Sequence, residues 1–259
     1  MGLDDVTQKS TLRCRLTFFR FDPTVDKTPR YETCEVSYER GDRILDVLLK
    51  VREDLGKDLA FRWSCRNRIC GSCGVLVNGA PKLLCWDEAV PEMTVKPLPN
   101  FPVIKDLVVD RSIYDSRIQQ MHPYLEPREP RPVTGEISPE TLYNLKPEET
   151  QLAVKFQECI ECLLCVSVCP VADGGNAKYP GPAALTRLAQ YTFDPRDSLP
   201  RVDAAFKEHI YDCIRCYSCE KACPVKIPIV TGISRIQQLA KTAGKQETRH
   251  LREMVEGYF

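Results

Sequence analysis

Histidine is nearly missing from this chain: His122, His209 and His250 are the only three. Each stands isolated and reads as a surface or packed side chain rather than a ligand. No catalytic triad pattern, no paired acids and no glycine-rich phosphate loop after a strand is evident, so no substrate chemistry is expected on this chain alone. No Cys-x-x-Cys is followed by His, which excludes a c-type haem attachment. Net charge is missing as well, because Lys+Arg and Asp+Glu both total 36, and nothing in the bulk electrostatics points to nucleic acid. No apolar run approaches the roughly 18 residues of a membrane span, so membrane association is expected only through partners. The opening MGLDDVTQKS lacks a signal-peptide pattern, and a reduced, cytoplasmic compartment is expected.

Cysteine, by contrast, is abundant, with 14 residues. In a secreted chain this would suggest disulfides, but C-x2-C-x2-C cannot sensibly pair with itself, and the thiolates read as metal ligands. The stretch from Cys159 to Pro170 is CIECLLCVSVCP, and that from Cys213 to Pro224 is CIRCYSCEKACP. Each is C-x2-C-x2-C-x3-C-P, the spacing by which bacterial-type ferredoxins hold two iron–sulfur clusters, the fourth Cys of each run serving the cluster of the other. On that rule Cys159, Cys162, Cys165 and Cys223 hold one [4Fe–4S] cluster. Cys169, Cys213, Cys216 and Cys219 hold the second, and the two runs fold as one unit.

Three thiolates two residues apart reach three corners of a cubane only if the backbone coils tightly and points its N–H groups at the sulfurs. Pro170 and Pro224 then break the local conformation, since proline lacks an N–H and restricts the residue before it. Structural zinc also takes C-x2-C pairs. It needs only two of them, however, and leaves the third Cys and the Cys-Pro of both runs unexplained.

A third motif lies upstream in RWSCRNRICGSCGVLVNGAPKLLC, where Cys65, Cys70, Cys73 and Cys85 have the C-x4-C-x2-C…C spacing of plant-type [2Fe–2S] proteins. Gly71 and Gly74 are expected to let the backbone approach the sulfides. Asn78-Gly79 is a type I′ hairpin signal that returns Cys85 towards the loop. Three sets of four leave Cys14 and Cys34, both on the apolar phase of strands, as buried small hydrophobes.

The patterning predicts an α+β chain. Alternation at Leu12, Cys14, Leu16 and Phe18, then at Cys34, Val36 and Tyr38, predicts a β-hairpin. Asp42 is expected to cap a helix carrying Ile44, Leu45, Leu48 and Leu55. Strand, strand, helix opens a β-grasp [2Fe–2S] ferredoxin domain, placed at residues 1–110. A Pro-rich but apolar stretch predicts an ordered crossing at 111–145. Residues 146–259 are expected to form an α-helical two-cluster domain, with helices at 148–157, 182–191 and 202–211. A tail from Gly232 carries an apolar stripe at Ile233, Ile236, Leu239, Leu251, Met254 and Val255.

The order of a plant-type [2Fe–2S] motif, PNFPVIKDLVVD, and two bacterial-type Cys runs separated by YPGPAAL resembles the iron–sulfur subunits of succinate dehydrogenases and fumarate reductases over almost the whole chain. The resemblance implies an electron-transfer subunit, acting in respiration and the tricarboxylic acid cycle. It would bridge an FAD flavoprotein that interconverts succinate and fumarate and a quinone-reactive membrane anchor, at the cytoplasmic side of the inner membrane. It also implies an order: the [2Fe–2S] centre nearest the flavin, the cubane of Cys159, Cys162, Cys165 and Cys223 in the middle, and the third centre nearest the quinone.

Two departures alter that expectation. Most members lack a Cys at the place of Cys216 and carry [3Fe–4S] there, so four thiolates here imply a second [4Fe–4S], with [3Fe–4S] as the alternative. Where the quinone site usually has Trp and His, this chain has Asp173, Gly174 and Ile214. Both departures resemble a less common branch whose partner carries cysteine-rich CCG motifs, a domain expected on a separate subunit. Two alternatives stay open: a fumarate reductase drawing on thiols or another non-quinol donor, and a free polyferredoxin shuttle. A shuttle is expected to be acidic for electrostatic steering, whereas neutrality suits permanent docking.

Overall fold

The computed structural model describes residues 11–128, 145–172 and 178–245. The chain divides into two compact units, one comprising Met1–Asp110 with Ile160–Ser167, the other Arg111–Cys159 with Val168–Phe259.

In the first unit β1 (Thr11–Arg20) and β2 (Arg30–Glu39) pair antiparallel from Thr11↔Glu39 to Arg20↔Arg30. The alternation has its predicted consequence: Cys14, Leu16, Phe18, Val36 and Tyr38 are buried on one face. Leu12, at the sheet's end, is exposed. Helix α1 (Ile44–Glu53) buries Ile44, Leu45, Val47, Leu48, Leu49 and Val51. Next come β3 (Gly74–Val77), β4 (Ala80–Leu83) and β5 (Glu92–Lys96), and the five-stranded sheet has the order β2-β1-β5-β3-β4. Only β1 and β5 run parallel; the other pairs are antiparallel. One helix beside this mixed sheet is the β-grasp arrangement expected from the sequence.

Two local expectations fail. Asp42 does not cap α1, because its carboxylate is taken by the Glu39 N–H and the Lys50 ammonium; Asp46 instead accepts the Arg43 N–H at the helix start. Leu55 lies beyond the helix end and is 45% exposed.

The passage after β5 forms a second small sheet, β6 (Val103–Lys105) with β7 (Val108–Val109). Its turn carries Asp106, buried to 1% exposure. That carboxylate accepts the backbone N–H groups of Phe21 and Ala60 and the Arg20 guanidinium, at 3.0 to 3.1 Å. One side chain thus ties the end of β1 to the strand-free segment that leads into Cys65.

The second unit is helical: α2 (Ser112–Gln120), α3 (Pro147–Gln157), α5 (Gly181–Thr192), α6 (Arg201–Lys207), α7 (Ser218–Ala222) and α8 (Ile229–Thr242). The short α4 (Leu164–Ser167) belongs to the first unit. Helix α5 buries Ala183, Ala184, Leu185, Leu188 and Ala189 against α2, α3, α6 and α8. The sequence extends α6 to Tyr211, but it ends at Lys207. His209 adopts φ +53° and a short 3-10 turn, Ile210–Asp212, follows. Of the tail stripe, Ile233 and Ile236 pack inside α8 while Leu239 is exposed. Leu251, Met254, Val255 and His250 lie outside the described residues, as do 129–144 of the crossing.

A buried ion pair braces this unit. Arg201 bonds Asp197 twice and donates to the carbonyls of Met121, His122 and Tyr124.

Replacing Asp106 by Ala leaves two backbone donors and a guanidinium without their acceptor, and a loss of about 3 kcal/mol is expected from such a buried site. Thermal unfolding of the purified chain should show it as a clear fall in Tm. Arg13→Ala, which removes an exposed pairing with Glu35, should leave Tm unchanged.

Candidate metal centres

The loop from Cys65 to Cys73 has no regular secondary structure and turns on three left-handed residues, Arg66, Arg68 and Gly71. Such alternation directs successive N–H groups to one side, a nest suited to an anion. Here the anion site is a sulfur: Cys65 Sγ accepts the N–H groups of Asn67, Ile69 and Cys70 at 3.4, 3.3 and 3.3 Å. Those donors pull the Cys65 thiol down to about 6. Cys73 and Cys85 are buried, and their sulfurs stand 3.4 Å apart without a disulfide. Metal–sulfur bonds of about 2.3 Å in a tetrahedron place sulfurs about 3.8 Å apart, so this pair suits one metal atom. Burial, ahead of any neighbour, pushes the Cys73 thiol up to about 12, a penalty that a metal cation removes.

The hairpin that returns Cys85 has the predicted turn, with Asn78 at φ +49° and Gly79 at +81°. The Asn78 side chain also bonds β5 at the Glu92 carbonyl and the Thr94 N–H. Around the loop, Arg66 stacks over Trp63 and Arg68 over Trp86, at 4.8 and 4.1 Å.

Gly71 is required by its neighbours in the chain. At φ +65°, a Cβ there would stand 2.2 Å from the Ile160 carbonyl oxygen and 2.9 Å from the Cys162 Cα. A Cβ on Gly74 would meet Leu164 at 2.9 Å. The segment Ile160–Ser167 is thus pressed against the loop that carries Cys70, and Asn100 holds it there by donating to the Val166 carbonyl. Leu163, Leu164 and Val166 are buried beneath it, with Cys162 and Cys165.

The two later Cys runs share a backbone signature. Glu161 and Leu163 in the first, and Arg215 and Tyr217 in the second, all have positive φ at matching offsets of two and four residues from the leading Cys. In the second unit, Cys169, Cys213, Cys216 and Cys219 line one cavity of about 300 Å³, counting the solvent at its mouth. Among the described residues no three Cys, His, Asp or Glu side chains converge as ligands of a single ion would. The sulfurs here are spread around a wall.

Burial raises the thiols of Cys169 and Cys213 and pushes Cys219 up to about 12, and neighbouring cysteines add to this at all three. Such thiols suit a cationic core that would relieve both burdens. N–H groups of Val171 and Ala172 bond Cys169, that of Arg215 bonds Cys213, and the Tyr179 hydroxyl also bonds Cys213. Cys216 is the exposed member. Ile214, beside it, is 45% exposed, while Asp173 and Gly174 lie outside the described residues.

Cys159 and Cys223 belong to the second unit. The Cys159 carbonyl accepts from Arg187, and the Cys223 sulfur accepts the Ile227 N–H at 3.4 Å. Glu220, inside the second run, caps α8 by accepting the Val230 N–H. Gln237 accepts from the Arg215 guanidinium at 3.1 and 2.7 Å while donating to the Ile210 carbonyl. Sequence reasoning missed Tyr179, Glu220 and Gln237. Only Tyr179 had a signal, its place in YPGPAAL. Cys14 and Cys34 sit on strands β1 and β2. Burial is the leading cause that raises both thiols, Cys14 to about 11, but only Cys14 is buried as expected; Cys34, on the outer strand β2, is half-buried.

Comparison with known proteins agrees with these features. A family model for a 2Fe-2S iron–sulfur cluster binding domain matches residues 15–115, and one for a 4Fe-4S dicluster domain matches 155–227. The fumarate reductase iron–sulfur subunit of Haemophilus influenzae is 32% identical over 83% of this chain and 88% of its own length. One subunit of the CoM/CoB fumarate reductase of Methanothermobacter marburgensis is 34% identical over 87% of this chain but 44% of its own. The chain spans less than half the length of this and two other methanogen relatives. Among solved structures, a chain of the Mycobacterium smegmatis Sdh1 complex in the apo form superposes with a TM-score of 0.78 at 28% identity, covering 90% of this chain and 98% of that one.

Two variants separate close approach from backbone strain. Gly71→Ala meets a backbone carbonyl as well as an unfavourable φ, and a loss above about 4 kcal/mol is expected. Gly79→Ala, with nothing within 4 Å, should cost about 1 kcal/mol. Thermal unfolding checks both. The double variant Cys14→Ala/Cys34→Ala should keep its full iron content by colorimetric assay.

Proposed function

This chain belongs to the family of fumarate reductase and succinate dehydrogenase iron–sulfur subunits, and we propose that it relays electrons between an FAD-containing subunit that interconverts succinate and fumarate and an acceptor held by a membrane anchor. Bound clusters supply one-electron carriers whose potentials follow from cluster type, charge, sulfur hydrogen bonds and exposure. What the chain's own residues do is hold them close, since electron tunnelling falls steeply with distance.

The observation that carries this reading is the contact of Gly71 with Cys162. Gly71 directly follows Cys70, a thiolate of the [2Fe–2S] motif, and its backbone touches that of Cys162, a thiolate of the next. Ligands of successive centres are then joined through one residue and one van der Waals contact. We assign Cys65, Cys70, Cys73 and Cys85 to the [2Fe–2S] centre. Cys159, Cys162, Cys165 and Cys223 take the middle [4Fe–4S], and Cys169, Cys213, Cys216 and Cys219 take the third. The cavity shared by the last four supports a full set of thiolates and hence a second [4Fe–4S], with the exposed Cys216 at its most accessible corner.

No helix among the described residues is long and apolar enough to cross a membrane, which fits a peripheral subunit held by partners. The anchor side differs from the common pattern at Ile214 and Cys216, and a CCG-type partner fits it. A second reading, fumarate reduction driven by thiol donors, is favoured by the name of the Methanothermobacter relative. A free carrier is the third reading. Copurification with a flavoprotein would argue against it, whereas a monomer with all clusters intact would remove the complex.

The deciding experiment is an iron count with EPR on the purified complex, air-oxidised and then dithionite-reduced. About ten iron atoms per chain and no oxidised-state [3Fe–4S] signal are expected; about nine with a strong signal would make Cys216 a spectator. Cys216→Ser should create that [3Fe–4S] signal and leave the [2Fe–2S] spectrum unaltered.

A further inference from the structure

Tyr179 is 1% exposed and among the largest fully buried side chains of the chain. It stands two residues before α5, in the wall of the cavity shared by Cys169, Cys213, Cys216 and Cys219, and its hydroxyl bonds the Cys213 sulfur. Its neighbour Pro180 restricts the backbone at Tyr179 to extended conformations, and α5 begins immediately after, so the ring is aimed from a rigid base. A buried phenol without a partner costs free energy, and here the partner is a sulfur assigned as a cluster ligand.

We propose that the Tyr179 hydroxyl acts as a hydrogen-bond donor to Cys213 that raises the reduction potential of the third centre, making it the low-energy end of the relay. The inference rests on the assignment of Cys213 to that centre. One electron from the preceding centre would add one unit of negative charge to the cluster and its thiolates together, part of it on the sulfurs, with no proton moved. An O–H donor stabilises the more negative sulfur more strongly, so it favours the reduced form. Burial of Tyr179 enlarges the effect, because a fixed dipole acts more strongly where water does not screen it. The N–H groups on Cys169 and Cys213 act in the same sense but belong to the backbone, whereas the phenol is set by one side chain. Tyr179 is therefore a positioning residue whose effect can be removed without altering the loop.

The test is an EPR-monitored redox titration of the purified complex carrying Tyr179→Phe, beside one in which position 179 holds 3-fluorotyrosine. Phenylalanine keeps the ring and loses the donor; the fluorinated phenol is a stronger acid and a stronger donor. The midpoint of the third centre should fall in the first and rise in the second, with the other two centres unmoved and iron content unchanged. A third centre present in both with its potential unmoved overturns the proposal. So does loss of that centre's iron in Tyr179→Phe while the fluorotyrosine protein titrates like the native one, since Tyr179 is then a packing residue. A native complex without any third-centre signal would instead remove the assignment of Cys213 itself.

Discussion

Crowded thiols are the constraint on which the rest of the structure depends. Burial around one cavity raises the thiols of Cys169, Cys213 and Cys219, and the neighbouring Cys216 raises all three further. The chain answers with backbone donors. Arg66, Arg68, Glu161, Leu163, Arg215 and Tyr217 all accept left-handed conformations that non-glycine residues avoid, and none is β-branched. Their energetic cost is of the kind that persists only where the surroundings over-determine the conformation. A cationic core completes the balance, and metal binding is then coupled to folding of the loops.

A second constraint is proximity. Two cysteine-bearing segments approach closely in the first unit, and this is achieved by leaving out a side chain. Gly71 and Gly74 clear room for Ile160–Ser167, while Asn100 fastens the segment through the Val166 carbonyl. Asp106 provides the matching restraint on the other flank, where it joins the end of β1 to the approach to Cys65. The side chains of Asn100 and Asp106 thus hold backbone that flanks the cysteines.

Much of this was legible in the sequence because local chemistry dictated it. Period-two burial in β1 and β2 and the Asn78-Gly79 turn each reflect a short-range rule, and the structure follows them. Where the reading missed, a more distant group had intervened. Asp42 looked like a cap but is occupied by Glu39 and Lys50, and α6 stops short of Tyr211 because His209 turns left-handed. The room that Gly71 leaves for the chain at Ile160 and Cys162 likewise follows from distant segments meeting.

The spacing of the cysteines by itself determined the motif classes, since tight loops around a cluster can be built only with ligands at fixed short intervals. Tertiary structure alone decided which polar groups face those sulfurs and brace their loops. Tyr179, Asn100 and Gln237 carry no spacing rule, because their partners Cys213, Val166 and Ile210 lie far off in the chain and are chosen by packing. Hydrogen bonds over such separations depend on where folded elements meet, and that is a property of the packed chain.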